Sequence, residues 1–176
     1  KAQADEPIST ALAMDYLNDF ALSIALQEES LALSRELGLT SAVLQGTYHL
    51  GLLALRQGEL ERAKECLAAS AAGWKSTGNR IAAAGADINL AEAMRLGGEL
   101  EDARTLTESV LDVARRTGTS RLEAASLVQL GQVDADAGEM AAAVDRFVEA
   151  AELHLRSGAR EGLIDIVEGL CVLAAR

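Results

Sequence analysis

The chain has 176 residues, a length typical of one domain that buries roughly 70% of its surface on folding. Its formal net charge of −11 disfavours direct binding of nucleic acid or of an anionic membrane, because both would be repelled. A hydrophobic content of 49%, with 3% aromatic residues and a single proline, favours closely packed helices over strands.

We expect neither a membrane-spanning stretch nor a secretory leader. Its apolar runs fall short of the ~18 residues that cross a bilayer, and its N-terminus lacks the charged and apolar regions of a signal peptide. Cys66 and Cys171 lie in apolar helical patterns without metal-ligand spacing. We therefore predict two small buried core residues in a reducing compartment, in a cytoplasmic protein without cofactor or metal.

The polar first residues lead into a short helix. Pro7 suits the first turn of a helix, which is predicted over about 7–17. Asn18-Asp19-Phe20 then stands where later parts of the chain have Gly-Glu-Leu, and is a degenerate copy of that turn. A second helix is predicted over about 20–37.

A repeat of forty residues organises the chain. Gly58-Glu59-Leu60 returns as Gly98-Glu99-Leu100 and as Gly138-Glu139-Met140. A second glycine series with the same step, at 38, 78, 118 and 158, divides each unit in two, which predicts two helices per unit and a solenoid.

The fold class predicted is an all-α, right-handed αα-superhelix of about nine helices. The single repeat domain over 1–176 has units at about 1–38, 39–78, 79–118 and 119–158 and a partial unit at 159–176. The remaining helices are predicted at 41–57, 60–77, 80–97, 100–117, 120–137, 140–157 and 160–175.

Each half-unit has the same helix signals. The glycines at 38, 78 and 118 suit the left-handed conformation that closes a helix. Thr40, Ser41, Thr119 and Ser120, which follow two of these glycines, are predicted to cap the next helices. The second helix of a unit has its apolar residues at helical spacing. This core stripe is predicted to contain Leu60, Ala63, Leu67, Ser70, Ala71 and Trp74 in one unit, and Met140, Ala143, Phe147, Ala150, Ala151 and His154 in another.

The order of these residues resembles the tetratricopeptide repeat. Leu50-Gly51, Gly58, Leu60, Ala63 and Leu67 follow that family's pattern, and the unit that begins with Leu130-Gly131 repeats it; Thr107 makes the middle unit a weaker copy. The period of forty, rather than about thirty-four, is similar to repeat arrays of large multidomain bacterial signal-transduction ATPases and transcriptional regulators. Phrases such as Glu28-Glu29-Ser30-Leu31 resemble their sensor regions. The sequence contains no phosphate-binding loop and no basic recognition helix.

The sequence predicts binding rather than catalysis. His49 and His154 are the only histidines, and neither has a local partner for a metal or a catalytic pair. The resemblance implies that the first helices line a concave groove for a peptide, a helix or another domain of the same polypeptide. The lysine and asparagine clamp for a C-terminal carboxylate is not matched. The groove residues implied are Gln45, Tyr48, His49, Leu52, Arg56, Ile88, Asn89, Glu92, Arg95, Val128, Gln132 and Asp136.

Two other functions stay open at this stage. The array could be a receptor for a small effector, in which case an apolar cavity is expected beside Tyr48 and Ile88. It could also be a structural spacer or an oligomerisation module. The sequence begins without methionine and both ends fall within repeats, so we expect a segment of a longer polypeptide.

The last helix has more apolar residues than one neighbour can cover. Because solenoid ends ordinarily have a polar cap, we expect either self-association as a symmetric homodimer or a natural continuation of the array. The residues predicted for self-association are Leu163, Val167 and Leu170.

Overall fold

A computed structural model describes residues 20–157 and 163–174, and these residues are all-helical. The predicted helix over 7–17 lies outside them. The sequence placed every bound up to Ser157 within one residue, whereas the start predicted at 160 for the last helix falls outside the described residues. The described helices are α1 (Phe20–Glu36), α2 (Thr40–Gln57), α3 (Leu60–Ser76), α4 (Arg80–Leu96), α5 (Leu100–Thr117), α6 (Ser120–Asp136), α7 (Met140–Ser157) and α8 (Leu163–Ala174).

The chain forms two compact units, which divide between Asn79 and Arg80. In the first unit, α2 packs against both α1 and α3. In the second unit, α5 packs against α4 and α6, α7 packs against α6, and α8 contacts both α6 and α7. The predicted division into repeat units, with a boundary at 78/79, stays a prediction. The helical repeat is confirmed, and the handedness of the array stays a prediction.

Glycines end the helices through backbone hydrogen bonds. Gly58 has φ +76°, its N–H donates to the Leu55 carbonyl at 3.1 Å, and the N–H of Glu59 donates to the Ala54 carbonyl at 2.9 Å. This pair of bonds is a Schellman motif, which satisfies the last carbonyls of α2. The glycines at 38, 78, 98, 118 and 138 also have positive φ.

The predicted side-chain caps are wrong. The N-cap positions of α2 and α6 are Leu39 and Thr119, and neither makes a side-chain capping bond. The Thr119 hydroxyl lies 2.9 Å from that of Thr117 instead, and Thr40 is the first residue inside α2. The Thr40 N–H donates to the Gly38 carbonyl at 3.1 Å. The first N–H group of α2 thus bonds to a backbone carbonyl of the turn rather than to a capping side chain.

The second helices contribute the core as predicted, except that Met140 is wrong: it is 37% exposed at the start of α7. Ala63, Ala103 and Ala143 are fully buried, and Trp74 is buried within its unit, as expected for a core residue. The prediction for Cys171 is wrong, because this residue lies on the exposed side of α8. Cys66 is partly buried, and its burial raises the pKa of the thiol.

Glycines in the first helices permit close contact with the second helices. A Cβ atom at Gly51 would lie 2.7 Å from Leu67 Cγ, and one at Gly131 would lie 2.9 Å from Phe147 Cε1. Both distances are shorter than carbon atoms tolerate, so a side chain at either position would push the helices apart.

We predict that Gly131→Ala lowers the free energy of unfolding by about 1–3 kcal/mol, since the added methyl group overpacks the contact with Phe147. Gly85→Ala is the matched control: a Cβ there meets nothing within 4 Å, so alanine should stabilise α4 by about 0.5–1 kcal/mol. Urea denaturation of both variants measures the two changes. A neutral or stabilising Gly131→Ala would contradict this account of the helix contact.

Polar residues make up much of the core face of α1, beside the buried Leu31. Ser23, Ser30 and Ser34 are fully buried, and Gln27 is 1% exposed. Gln27 occupies the repeat position of Leu67 in α3 and Phe147 in α7. Neither amide atom of Gln27 has a hydrogen-bond partner in the described part of the chain, which is energetically costly for a buried amide.

We therefore predict that Gln27→Leu stabilises the protein by about 1–2 kcal/mol, because an apolar side chain of similar size removes the unsatisfied amide. The shift of the urea midpoint is the measurement. Gln57→Leu, at an exposed position on α2, is the control and should change stability little. A destabilised Gln27→Leu variant would show that the amide is satisfied in the folded protein.

Candidate interaction surface on the first helices

In the first unit, α2 brings three of the predicted groove residues together. Gln45 Nε2 lies 3.0 Å from His49 Nε2. Because an amide NH₂ group can only donate, His49 Nε2 is the acceptor and the ring proton is on Nδ1. The rings of Tyr48 and His49 are tilted by 51°, with centroids 5.7 Å apart. Leu52 is half-buried and Arg56 is exposed.

Burial disfavours the charged form of His49. Burial lowers the pKa of this histidine, because transfer away from water disfavours the imidazolium. Its Nδ1 atom is buried without a hydrogen-bond partner among the described residues. A buried neutral imidazole resists protonation, so folding and protonation of His49 oppose each other.

We predict that stability falls as the pH is lowered from 8 to 5.5. Because the pKa of His49 is lower in the folded state, the unfolded state takes up the proton first as the pH falls. The contribution of neutral His49 to the free energy of unfolding is therefore present above the ordinary pKa of about 6.5. It is lost as the pH falls below that value. His49→Gln removes this pH-dependent contribution, so the variant should lose less stability over the same pH interval. Urea unfolding at both pH values measures the difference. Equal losses in the two proteins would contradict the role of His49.

In the second unit, α4 carries the next predicted residues. Ile88 is partly buried and packs against the cluster that contains Ala84 and Val110. The Asn89 side-chain amide donates to the Gly85 carbonyl at 2.9 Å. The remaining two residues of this helix, Glu92 and Arg95, form a forked ion pair.

Arg95 joins α4 to α6. Its Nε and Nη2 atoms donate to the two carboxylate oxygens of Glu92 at 2.9 and 2.8 Å, and its Nη1 atom donates to Asp136. Burial alone would lower the pKa of Arg95, but the hydrogen bonds and charges of Glu92 and Asp136 outweigh it and raise that pKa. The structure thus brings Asp136 into contact with Arg95, a predicted residue 41 positions away, which also pairs with Glu92 on its own helix.

The other residues predicted on α6 lie in different environments. Val128 is buried in the core cluster with Leu127 and Phe147. Gln132 is half-buried, and Asp136 is exposed. The polar part of the surface on the first helices of this unit is therefore made by Asn89, Glu92, Arg95, Gln132 and Asp136.

Sequence reasoning missed a buried carboxylate next to this surface. Asp134 is 1% exposed and forms an ion pair with Arg104 of α5, while Arg146 of α7 lies 3.9 Å away. Arg104 also contacts Glu139 at 3.2 Å. A charged residue at the end of the otherwise apolar run in α6 was the signal available in the sequence.

A surface cleft of about 550 Å³ lies elsewhere in the second unit, where Arg80, Val113, Arg116 and Thr117 line it. None of these residues was predicted for binding. In the described part of the chain, no three His, Cys, Asp or Glu residues are placed to hold a metal ion. None of the described helices is long and apolar enough to cross a membrane.

The eight described helices, with glycine turns every twenty residues, define a helical repeat protein. A family model described as tetratricopeptide repeat matches residues 80–156. The matched residues lie in the second unit, and the match supports assignment of that part of the chain to the tetratricopeptide repeat family. No curated protein sequence matches it significantly.

Solved structures share the fold. The apo form of RapI is similar with a TM-score of 0.80 and 16% identity, over 99% of this chain and 70% of that one. TPR-like repeats of a kinesin light chain from Podosopora anserina align with a TM-score of 0.71 and 16% identity, over 98% of this chain and 95% of that one. A second structure of those repeats gives 0.73 and 17%, over 90% of this chain and 77% of that one. Identities this low establish the fold only.

Proposed function

We propose that the protein is an interaction module that binds a protein segment on the first helices of its second unit, and that it has no catalytic activity of its own. The observation that carries this proposal is the Glu92–Arg95–Asp136 triad beside the partly buried Ile88. Hydrogen bonds from Arg95 hold the three side chains of the triad together, so we expect little side-chain entropy to be lost on binding.

The charge of the triad favours one kind of partner. Two carboxylates, Glu92 and Asp136, share a single guanidinium, that of Arg95, which leaves an excess of one negative charge. The neighbouring Ile88 offers apolar area. We propose that the preferred ligand is a peptide or helix that places a lysine or arginine next to an apolar side chain.

The residues on α2 in the first unit are proposed to belong to the same kind of surface. Tyr48, His49 and Leu52 occupy the same repeat positions as Ile88, Asn89 and Glu92 of α4, and Gln45 and Arg56 lie on the same helix as these three. The resemblance to regulator sensor regions supports a cytoplasmic bacterial regulatory protein, in which the bound segment belongs to another protein or to another domain of the same polypeptide.

We predict that a random peptide library displayed on phage yields sequences that pair a basic with an apolar residue. Ile88→Glu should abolish their binding, and Glu92→Gln should weaken it several-fold, since the first removes apolar area and the second removes charge. Fluorescence polarisation with one enriched peptide measures both effects.

Thr105→Glu is the control for these variants, because it adds a charge at an exposed position of α5 and should bind as the unmodified protein does. Equal binding by Ile88→Glu and the unmodified chain would remove this surface from the proposal. Enrichment of acidic peptides would contradict the charge argument.

A second proposed property is self-association through α8. Val167 is 57% exposed, whereas Leu163 and Leu170 are partly buried and pack against the core cluster of α6 and α7. We expect the unmodified chain to sediment as a dimer at micromolar concentration and Val167→Glu to sediment as a monomer. A monomeric unmodified chain would contradict self-association.

A further inference from the structure

The cleft between α4 and α5 combines two arginines with an apolar wall. It has a volume of about 550 Å³, and its lining consists of Arg80 of α4 with Val113, Arg116 and Thr117 of α5. The three residues of α5 are spaced i, i+3 and i+4, so they share one face of that helix. The volume lies within the range of roughly 300–1,000 Å³ that is usual for small-molecule sites.

The charge of this lining is particular to one repeat. The residues at the repeat positions of Arg80 and Arg116 are Thr40 and Ser76 in the first unit, and Ser120 and Arg156 in the following repeat. The pair of arginines is therefore not required by the helical repeat itself. Val113 likewise stands where the first unit has Gly73, so the apolar wall is also a feature of this repeat.

The guanidinium of Arg80 is available to a ligand. Arg80 is the first residue of α4 and is exposed, and its side chain forms no ion pair or hydrogen bond with any residue that the structure describes. An arginine has several N–H donors in a fixed planar arrangement that matches the oxygens of carboxylates and phosphates.

Arg116 has donors to spare. Its Nη2 atom lies 2.8 Å from Asp112 Oδ2, and the two side chains are 67% and 60% exposed. An exposed pair of this kind is weak and uses only part of the guanidinium. The hydroxyl of Thr117 donates to the Val113 carbonyl at 2.9 Å, so recognition of a polar ligand depends on the two arginines.

The local charge favours an anion although the whole chain is acidic. Two guanidinium groups and the carboxylate of Asp112 leave an excess of one positive charge at the cleft. The net charge of −11 is spread over the molecule, and at physiological salt its effect is screened beyond about 8 Å. The positive end of the α4 dipole and the negative end of the α5 dipole oppose one another, so the arginines decide the sign.

We propose that this cleft binds a small organic phosphate monoester. The phosphate group accepts hydrogen bonds from Arg80 and Arg116, and the apolar group of the ester lies against Val113. A phosphate monoester has roughly two negative charges at neutral pH and enough oxygens to serve two guanidinium groups, whereas a carboxylate has one charge and is matched by a single arginine.

The size of the site favours a small molecule over a protein segment. Four residues line the cleft, whereas a stable protein interface uses about 20–30 residues on each side. The cleft shares no residue with the Arg95 triad or with α8, so the inference stands independently of the proposed partner surface and of the proposed self-association.

Calorimetric titration with phenyl phosphate, in a buffer without phosphate, tests the proposal. We expect saturable binding of one molecule per chain. Methyl phosphate, which lacks the apolar ring, should bind several-fold more weakly. Benzoate, with one negative charge, should bind at least about tenfold more weakly than phenyl phosphate because it can engage only one guanidinium fully.

The variants replace the arginines by the residues of the first unit. Arg80→Thr and Arg116→Ser should each weaken the binding of phenyl phosphate by at least about tenfold, because each removes charge-assisted hydrogen bonds. Arg121→Ser is the matched control: Arg121 is an exposed arginine of α6 that does not line the cleft, so its affinity should stay within about twofold.

Val113→Ala separates the apolar contact from the charge. It should weaken the binding of phenyl phosphate several-fold and leave that of methyl phosphate unchanged, since only the ring lies against this side chain. Circular dichroism checks that each variant keeps its helical content.

The outcomes decide the proposal as follows. Unchanged affinity in Arg80→Thr and Arg116→Ser would overturn the site, and an equal loss in Arg121→Ser would show unspecific attraction to positive charge and overturn it too. Benzoate that binds as tightly as phenyl phosphate would overturn the assignment to phosphate. A phosphotyrosine peptide that binds at least about tenfold more tightly than phenyl phosphate would overturn the assignment to a small molecule.

Discussion

The close contact between a small residue on one helix and a large residue on the next is the constraint on which the rest of the structure depends. Phe147 of α7 lies against both Gly131 of α6 and Gly169 of α8, where an added Cβ would come within 2.9 and 2.5 Å of its ring. Because there is no room for a side chain at these glycines, three successive helices are held around one aromatic ring. Gly51 and Leu67 make the equivalent contact in the first unit.

Ion pairs add specificity between successive helices. Arg115 links α5 to α6 and α7, and Arg104 links α5 to the buried Asp134. Exposed pairs contribute little to stability, but a buried carboxylate left without its partner would be costly. The charged residues therefore fix which helix faces which, whereas the apolar contacts supply most of the stability.

The repeat separates core positions from surface positions, and this separation leaves the surface free to vary. In the second unit the triad around Arg95 uses positions that the core does not require. On α7, apolar residues have replaced the charges that α5 has at Arg104 and Arg115. Both surfaces follow from the same helical register.

The sequence by itself determined the helices, their turns and the core stripe. These features depend on local properties: the 3.6-residue period places apolar residues on one face, and the glycines reach a positive φ that other residues avoid. For this reason the bounds from Phe20 to Ser157 and the burial of Ala63, Ala103 and Ala143 could be predicted.

Only the tertiary structure decided which polar side chains meet and which are covered. Arg95 and Asp136 are 41 residues apart, and Arg104 and Asp134 are 30 apart, so no local pattern in the sequence pairs them. The exposure of Cys171 and the unsatisfied amide of Gln27 likewise depend on which neighbouring helix covers each face. The physical reason is that backbone conformation follows from adjacent residues, whereas burial and ion pairing follow from the packing of helices distant in sequence.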